Sequence, residues 1–179
     1  ARLDALGAEA IAETYPSWLR TRYQFAAIRA FIEREDSRTA SRFLEQIDLA
    51  RLSPDQISEY ELLSGRLEQL NGRHSEALES YGRVIAADRR PTRAEAVLRT
   101  IEVLDSMGRL DVARALDTLS VQATLWRGDA VEMAIVEMLT DLKYRNGDYR
   151  GAFTMTRELA MGQGSSDVVN RMVDRARIE

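Results

Sequence analysis

The stretch Asn71-Gly72-Arg73-His74-Ser75-Glu76-Ala77 joins two amphipathic runs and decides how the rest of the chain reads. A glycine placed after an apolar-periodic segment ends a helix at little cost, because it enters left-handed backbone without a Cβ clash. Five residues on, a small side chain early in the next helix suits close packing. The same pairing returns at Gly108 with Ala113 and at Gly147 with Ala152. The glycines lie 36 and 39 residues apart. Self-similarity at such a spacing signals a stack of supersecondary units rather than one globular core.

Around these turns almost everything reads as helix. The expected segments are Leu3–Thr14, Ser17–Arg34, Ser37–Leu49, Pro54–Leu70, Ser75–Asp88, Thr92–Met107, Leu110–Ser120, Ala130–Arg145, Tyr149–Met161 and Ser166–Ile178. Ser53, Pro54 and Gln56 supply a cap, a proline at the first helical position and a capping box together. Thr92 with Glu95 predicts a second capping box, and Asp129 with Glu132 a similar start from an aspartate cap. Pro16, Pro54 and Pro91 each fall where the first helix of a pair begins. The units are therefore 17–52, 53–90, 91–128 and 129–164, with flanking helices 3–14 and 166–178. The first unit lacks the turn glycine; Glu35-Asp36-Ser37 makes its turn and Ala40 takes the alanine place. Short turns favour antiparallel neighbours, and neither helix of a pair can bury its apolar stripe alone, so the pairs must stack. The fold class is all-α, an α-solenoid of helix pairs; a compact bundle is the weaker reading, because its sequence need not repeat.

The residues resemble a tetratricopeptide repeat (TPR). Tyr60, Leu63, Ser64 and Leu67 lead to Asn71-Gly72, then Ala77 and Tyr81, which looks like the family's pattern of large and small residues over two helices. Ile135, Met138, Leu139 and Leu142 lead to Asn146-Gly147-Asp148-Tyr149-Arg150-Gly151-Ala152 in the same way. The third unit matches in its turn, and the first is degenerate. The resemblance spans about residues 17 to 164 and departs from the family in its longer period, against about 34 residues, and in the places of its tryptophans. A helical-pair stack of the HEAT kind is the structural rival. The resemblance implies a right-handed superhelix with the first helix of each pair lining a concave side that holds a protein or peptide.

Composition bounds the function. At 179 residues, 45% apolar and 30% charged, the chain is long enough for a packed core. Its net charge of −4 and the lack of a basic stripe argue against nucleic acid. No run approaches a membrane span. Absence of cysteine removes disulfides and thiolate metal sites and fits a bacterial cytoplasm or periplasm equally. Lys143 is the only lysine, leaving none to spare for Schiff-base or phosphate-loop chemistry. The chain starts at Ala1 and reads as part of a larger protein. His74, the only histidine, follows a turn and lacks a serine–acid spacing. The Gly162-Gln163-Gly164 stretch has no strand before it, so it reads as a linker rather than a phosphate loop. No enzyme, cofactor or metal site is expected. Trp18 and Trp126 read as junction packing, and Met133, Met138, Met155, Met161 and Met172 mostly as core filler.

Helical periodicity assigns the faces. In the second unit Ile57, Tyr60, Leu63, Leu67 and Leu70 read as the packed side, with Ser58, Glu61, Gly65, Glu68 and Gln69 opposite. In the third, Val97, Leu98, Ile101 and Leu104 pack, leaving Glu95, Arg99, Glu102 and Ser106. In the fourth, Ile135, Leu139 and Leu142 pack, leaving Met133, Glu137, Thr140 and Tyr144. Segment Ser17–Arg34 is apolar nearly all round, with Phe25, Ile28 and Ile32 opposite Tyr23, Ala27 and Phe31. Either a flanking segment covers it or it is an exposed apolar end that pairs with a partner or another copy. The expected partner-binding groove comprises Phe25, Arg29, Glu61, Gly65, Glu68, Glu95, Arg99, Glu102, Met133, Glu137 and Tyr144. Its glutamates make it mildly acidic, which suits a basic or amphipathic peptide or partner domain.

Overall fold

A computed structural model describes residues 16–125 and 130–163. Among them are eight α-helices and no strand: α1 Ser17–Glu33, α2 Ser37–Glu45, α3 Pro54–Leu70, α4 His74–Ala87, α5 Thr92–Ser106, α6 Val112–Leu125, α7 Ala130–Arg145 and α8 Tyr149–Gln163. Helix α2 ends at Glu45, short of the Leu49 expected from the sequence, and a short 3₁₀ turn, Leu49–Arg51, follows. The expected helices Leu3–Thr14 and Ser166–Ile178, the Asp129 cap and the side chains of Trp18, Trp126, Met161 and Met172 lie outside the described residues.

The turns repeat one hydrogen-bonded device four times. Gly72, Gly108 and Gly147 have φ of 74°, 65° and 82°. After each, an amide reaches back five residues: Arg73 N donates to Glu68 O, Arg109 N to Leu104 O and Asp148 N to Lys143 O, all at 2.9 Å. This is the Schellman closure, which satisfies carbonyls at a helix end. The first pair makes the same closure without glycine. Glu35 takes φ 59°, and Asp36 N donates to Phe31 O at 2.9 Å. The glycine is thus absent from the first turn while its backbone conformation is kept.

The alanine period is more regular than the glycine period, and it corrects one expectation. In the third pair the buried small residue is Ala115, while Ala113 is exposed. Two extra residues, Arg109 and Leu110, separate Gly108 from Asp111, whose carboxylate caps α6 by accepting from Arg114 N at 3.1 Å. Elsewhere the capping residue directly follows the left-handed one. Ala40, Ala77, Ala115 and Ala152 all donate their amide to the capping residue's carbonyl and all are buried. Steps between them are 37, 38 and 37 residues.

At α3 the predicted start forms in full. Gln56 N donates to Ser53 Oγ at 3.3 Å, Ser53 N donates to Gln56 Oε1 at 2.9 Å, and Pro54 opens the helix. The second expected capping box does not form. The Thr92 hydroxyl donates instead to Arg89 O at 3.1 Å, and Glu95 turns to arginines.

The chain divides into two compact units at Val103/Leu104, inside the last turn of α5. In the first unit Phe25, Ile28 and Ile32 of α1 pack with Ala40, Phe43 and Leu44 of α2, Ile47, and Leu63 and Leu67 of α3. Tyr23, Ala27 and Phe31 border the same cluster, and the Phe31 and Phe43 rings lie 5.3 Å apart. Both apolar sides of α1 are therefore engaged within the unit. In the second unit α7 packs between α6 and α8, burying Leu119, Ile135, Leu139 and Leu142. Each such side chain contributes on the order of 2 kcal/mol.

Candidate functional site

Helix α3 is buried on two sides, which displaces the expected groove. Leu63 and Leu67 enter the α1–α2 core as expected, but Leu62, Ser58 and Gly65 are buried too, while Ile57 is exposed. Gly65 sits beneath Tyr81 of α4; a Cβ there would lie 2.6 Å from Tyr81 Cε1. Tyr81 is fully buried and its hydroxyl donates to Gln69 Oε1 at 2.7 Å. Burial pushes the Tyr81 hydroxyl well above the ordinary tyrosine range, with nearby arginines opposing. Gly65 is thus a close approach between paired helices and not a groove floor. Phe25 is likewise withdrawn into the core of the first unit. One stripe per helix was too simple a rule for a helix sandwiched between neighbours.

Four of the five glutamates expected to make the face acidic, Glu61, Glu68, Glu95 and Glu102, have arginine partners. Glu61 Oε2 accepts from Arg83 of α4 at 3.0 and 2.8 Å. Glu68 pairs with Arg73 across the α3–α4 turn. Glu102 accepts from Arg99 at 3.0 and 2.8 Å. Glu95, expected to face solvent, is only 5% exposed. It sits in the first turn of α5, where Thr92, Ala94, Ala96, Val97 and Leu98 are also buried.

An ionic ladder runs across the first helices of three consecutive pairs. Arg29 of α1 donates to both oxygens of Glu95 at 3.0 and 2.9 Å, two pairs away in sequence. Arg66 of α3 lies 3.3 Å from Glu95, and Arg99 of α5 lies 3.9 Å away. Glu59 of α3 reaches Arg29 at 3.6 Å. One buried carboxylate therefore gathers three guanidinium groups. Burial and the neighbouring Arg99 pull the Arg66 pKa down, with Glu95 opposing, so Arg66 is the member most dependent on its partner. Burial also works against Arg29 and Arg99, yet their carboxylate partners raise both. Arg66 and Glu59 were not among the expected site residues. Their spacing of seven places them on one side of α3, a signal obscured by the apolar stripe beside them.

The other expected residues belong to the second unit. Met133 and Glu137 are half-buried on α7. Tyr144, also half-buried, meets Tyr149 of α8 edge-on with ring centroids 5.1 Å apart. Met138 and Met155 are half-buried, consistent with packing.

Catalytic geometry does not assemble around His74. It opens α4 half-buried, and its Nδ1 has no hydrogen-bond partner, so no carboxylate orients the ring from that side. Among the described residues no cluster of histidine, aspartate and glutamate could hold a metal ion, and no helix is long and apolar enough to cross a membrane. A cleft of about 560 Å³ opens between Arg38 and Arg42 of α2 and the Asn71–Arg73 turn, lined by polar side chains.

No protein-family model and no curated protein matches the sequence. A solved structure from Podosopora anserina, titled as a putative kinesin light chain with nearly identical TPR-like repeats, is similar over 96% of this chain and 84% of its own. The TM-score is 0.51 and the sequence identity 18%. The fold is TPR-like.

Proposed function

We propose that the chain is a non-catalytic interaction scaffold that holds a protein or peptide along the face shared by α1, α3 and α5. The observation that carries this reading is the ladder of Arg29, Glu59, Arg66, Glu95, Arg99 and Glu102. Its inner members organise the face. Its outer members, Arg29, Glu59, Arg99 and Glu102, retain partial exposure, so they can exchange partners with an incoming chain.

This changes the expected ligand. A face whose glutamates are already paired offers little net attraction to a basic peptide. It suits a segment of mixed charge that replaces the weaker rungs, such as Arg29–Glu59 at 3.6 Å, while leaving Glu95 in place. Self-association through an apolar first pair draws less support, since among the described residues α1 contributes none of the large exposed apolar side chains.

The test is photo-crosslinking in cells of the native source, with a crosslinking side chain at Arg99 or Glu102 and, as reference, at Arg34 beyond the end of α1. A specific adduct at positions 99 and 102, absent at 34 and abolished by Arg99→Glu, supports the face. Equal adducts at all three positions, or none at 99 and 102, exclude it.

A further inference from the structure

Two residues of α8 break a rule that the other second helices obey. Counting from each capping residue, the first and fifth following positions are Ser37 and Ser41, His74 and Leu78, Val112 and Leu116, and Tyr149 and Phe153. In the first three pairs both positions are half-buried. In α8 they are 60% and 67% exposed, and they are large aromatics. These are the most exposed large apolar side chains among the described residues. The aromatics therefore stand at positions that the repeat covers elsewhere.

Arg157, four residues beyond Phe153, continues the stripe, and Arg150 flanks it; both are exposed. Positions 149–157 contain no acidic residue, in a chain whose net charge is −4. Tyr149 is braced edge-on by Tyr144, which fixes one end of the aromatic pair. Aromatic anchors four residues apart match the rise of a facing helix, and arginines at their rim favour carboxylates. From this we infer that the Tyr149–Phe153–Arg157 stripe, with Arg150, docks an amphipathic helix of a partner protein, apolar on one side and acidic along its rim.

The assay is fluorescence anisotropy of a labelled synthetic helix of about 16 residues, long enough for four turns, titrated with the full chain at low ionic strength. One probe carries leucines at helical spacing with glutamates on both rims; its counterpart carries lysines instead. The glutamate-rimmed probe should bind at least about tenfold more tightly than the lysine-rimmed one. Phe153→Asp should weaken it by about tenfold or more. Arg150→Glu with Arg157→Glu should invert the preference between probes. Circular dichroism checks folding, which both variants should retain because the altered side chains are exposed. Unchanged affinity in Phe153→Asp, equal affinity for the two probes, or no binding of either overturns the proposal. So does a concentration-dependent dimer of the wild type that Phe153→Asp abolishes, because the occupant is then a second copy.

Discussion

Replacing Glu95 by glutamine keeps the side chain's shape and removes the one anion that three arginines share. Breaking a buried ion pair from one side costs about 3–5 kcal/mol, chiefly through the charge left behind. Here the cost falls mainly on Arg66, whose side chain is 10% exposed. Arg29 and Arg99 are 32% and 27% exposed and can turn toward water, which places the expectation at the low end, about 3 kcal/mol. For a chain of this size that lowers the thermal midpoint by about 6–12 °C. Urea unfolding followed by circular dichroism measures it. Arg66→Met alone should cost only about 1 kcal/mol, because Glu95 keeps Arg29. Glu95→Met with Arg66→Met should recover much of the loss, since apolar residues of similar volume often replace a buried pair without penalty. A Glu95→Gln variant within about 0.5 kcal/mol of wild type would show that the carboxylate is hydrated and that no buried charge depends on it.

Glycine substitutions should separate contact from conformation. Gly65→Ala drives a Cβ into the buried Tyr81 ring and should destabilise by about 1–3 kcal/mol, whereas Gly82→Ala meets nothing within 4 Å and should stabilise by up to about 1 kcal/mol. The reverse order in chemical denaturation would refute the α3–α4 approach. Glu35→Gly, at φ 59°, should gain about 1 kcal/mol, and Gly147→Ala, at φ 82°, should lose a similar amount; equal stability of both variants would contradict the shared turn geometry. Acid should weaken the fold through Asp36, Asp105 and Asp148. Thr39, Arg145 and Lys143 respectively hold these carboxyls below their usual pKa by hydrogen bonding. A depressed folded pKa gives stability that is present above the unfolded value of about 3.9 and lost as pH falls through the folded one. Asp105→Asn should flatten the decline in thermal midpoint below about pH 4, and an unchanged slope would remove Asp105–Arg145 from the account.

Local chemistry was readable because it depends on neighbours in sequence. The Ser53–Gln56 box and the left-handed glycines are each set within a few residues. Contacts spanning pairs were not readable in that way. Glu95 stands three residues after a threonine, as a capping box requires, yet its partners are 29 and 66 positions earlier and four later. Its carboxylate follows the buried guanidinium groups, where leaving it unpaired would cost more than an unmade cap. Gly65 read as a gap on a solvated face because nothing in α3 reports where the Tyr81 ring lies. The shift from Ala113 to Ala115 came from two added residues in one turn, which move the helix start without disturbing the glycine. A period measured on buried alanines would have located it.

The Arg29–Glu95 bond carries a consequence for how the first unit forms. In an ideal helical-repeat stack each pair touches only its neighbours, and folding spreads along the chain like a closing zipper. A rung from the first pair to the third adds a second-neighbour term to that scheme. The middle pair cannot be lost from the array without stranding a charge at each end of the rung. The two pairs and the helix α5 that make up the unit ending at Val103 should therefore open as one cooperative block, so that amides of α1 and of the first turns of α5 exchange with solvent together rather than in sequence.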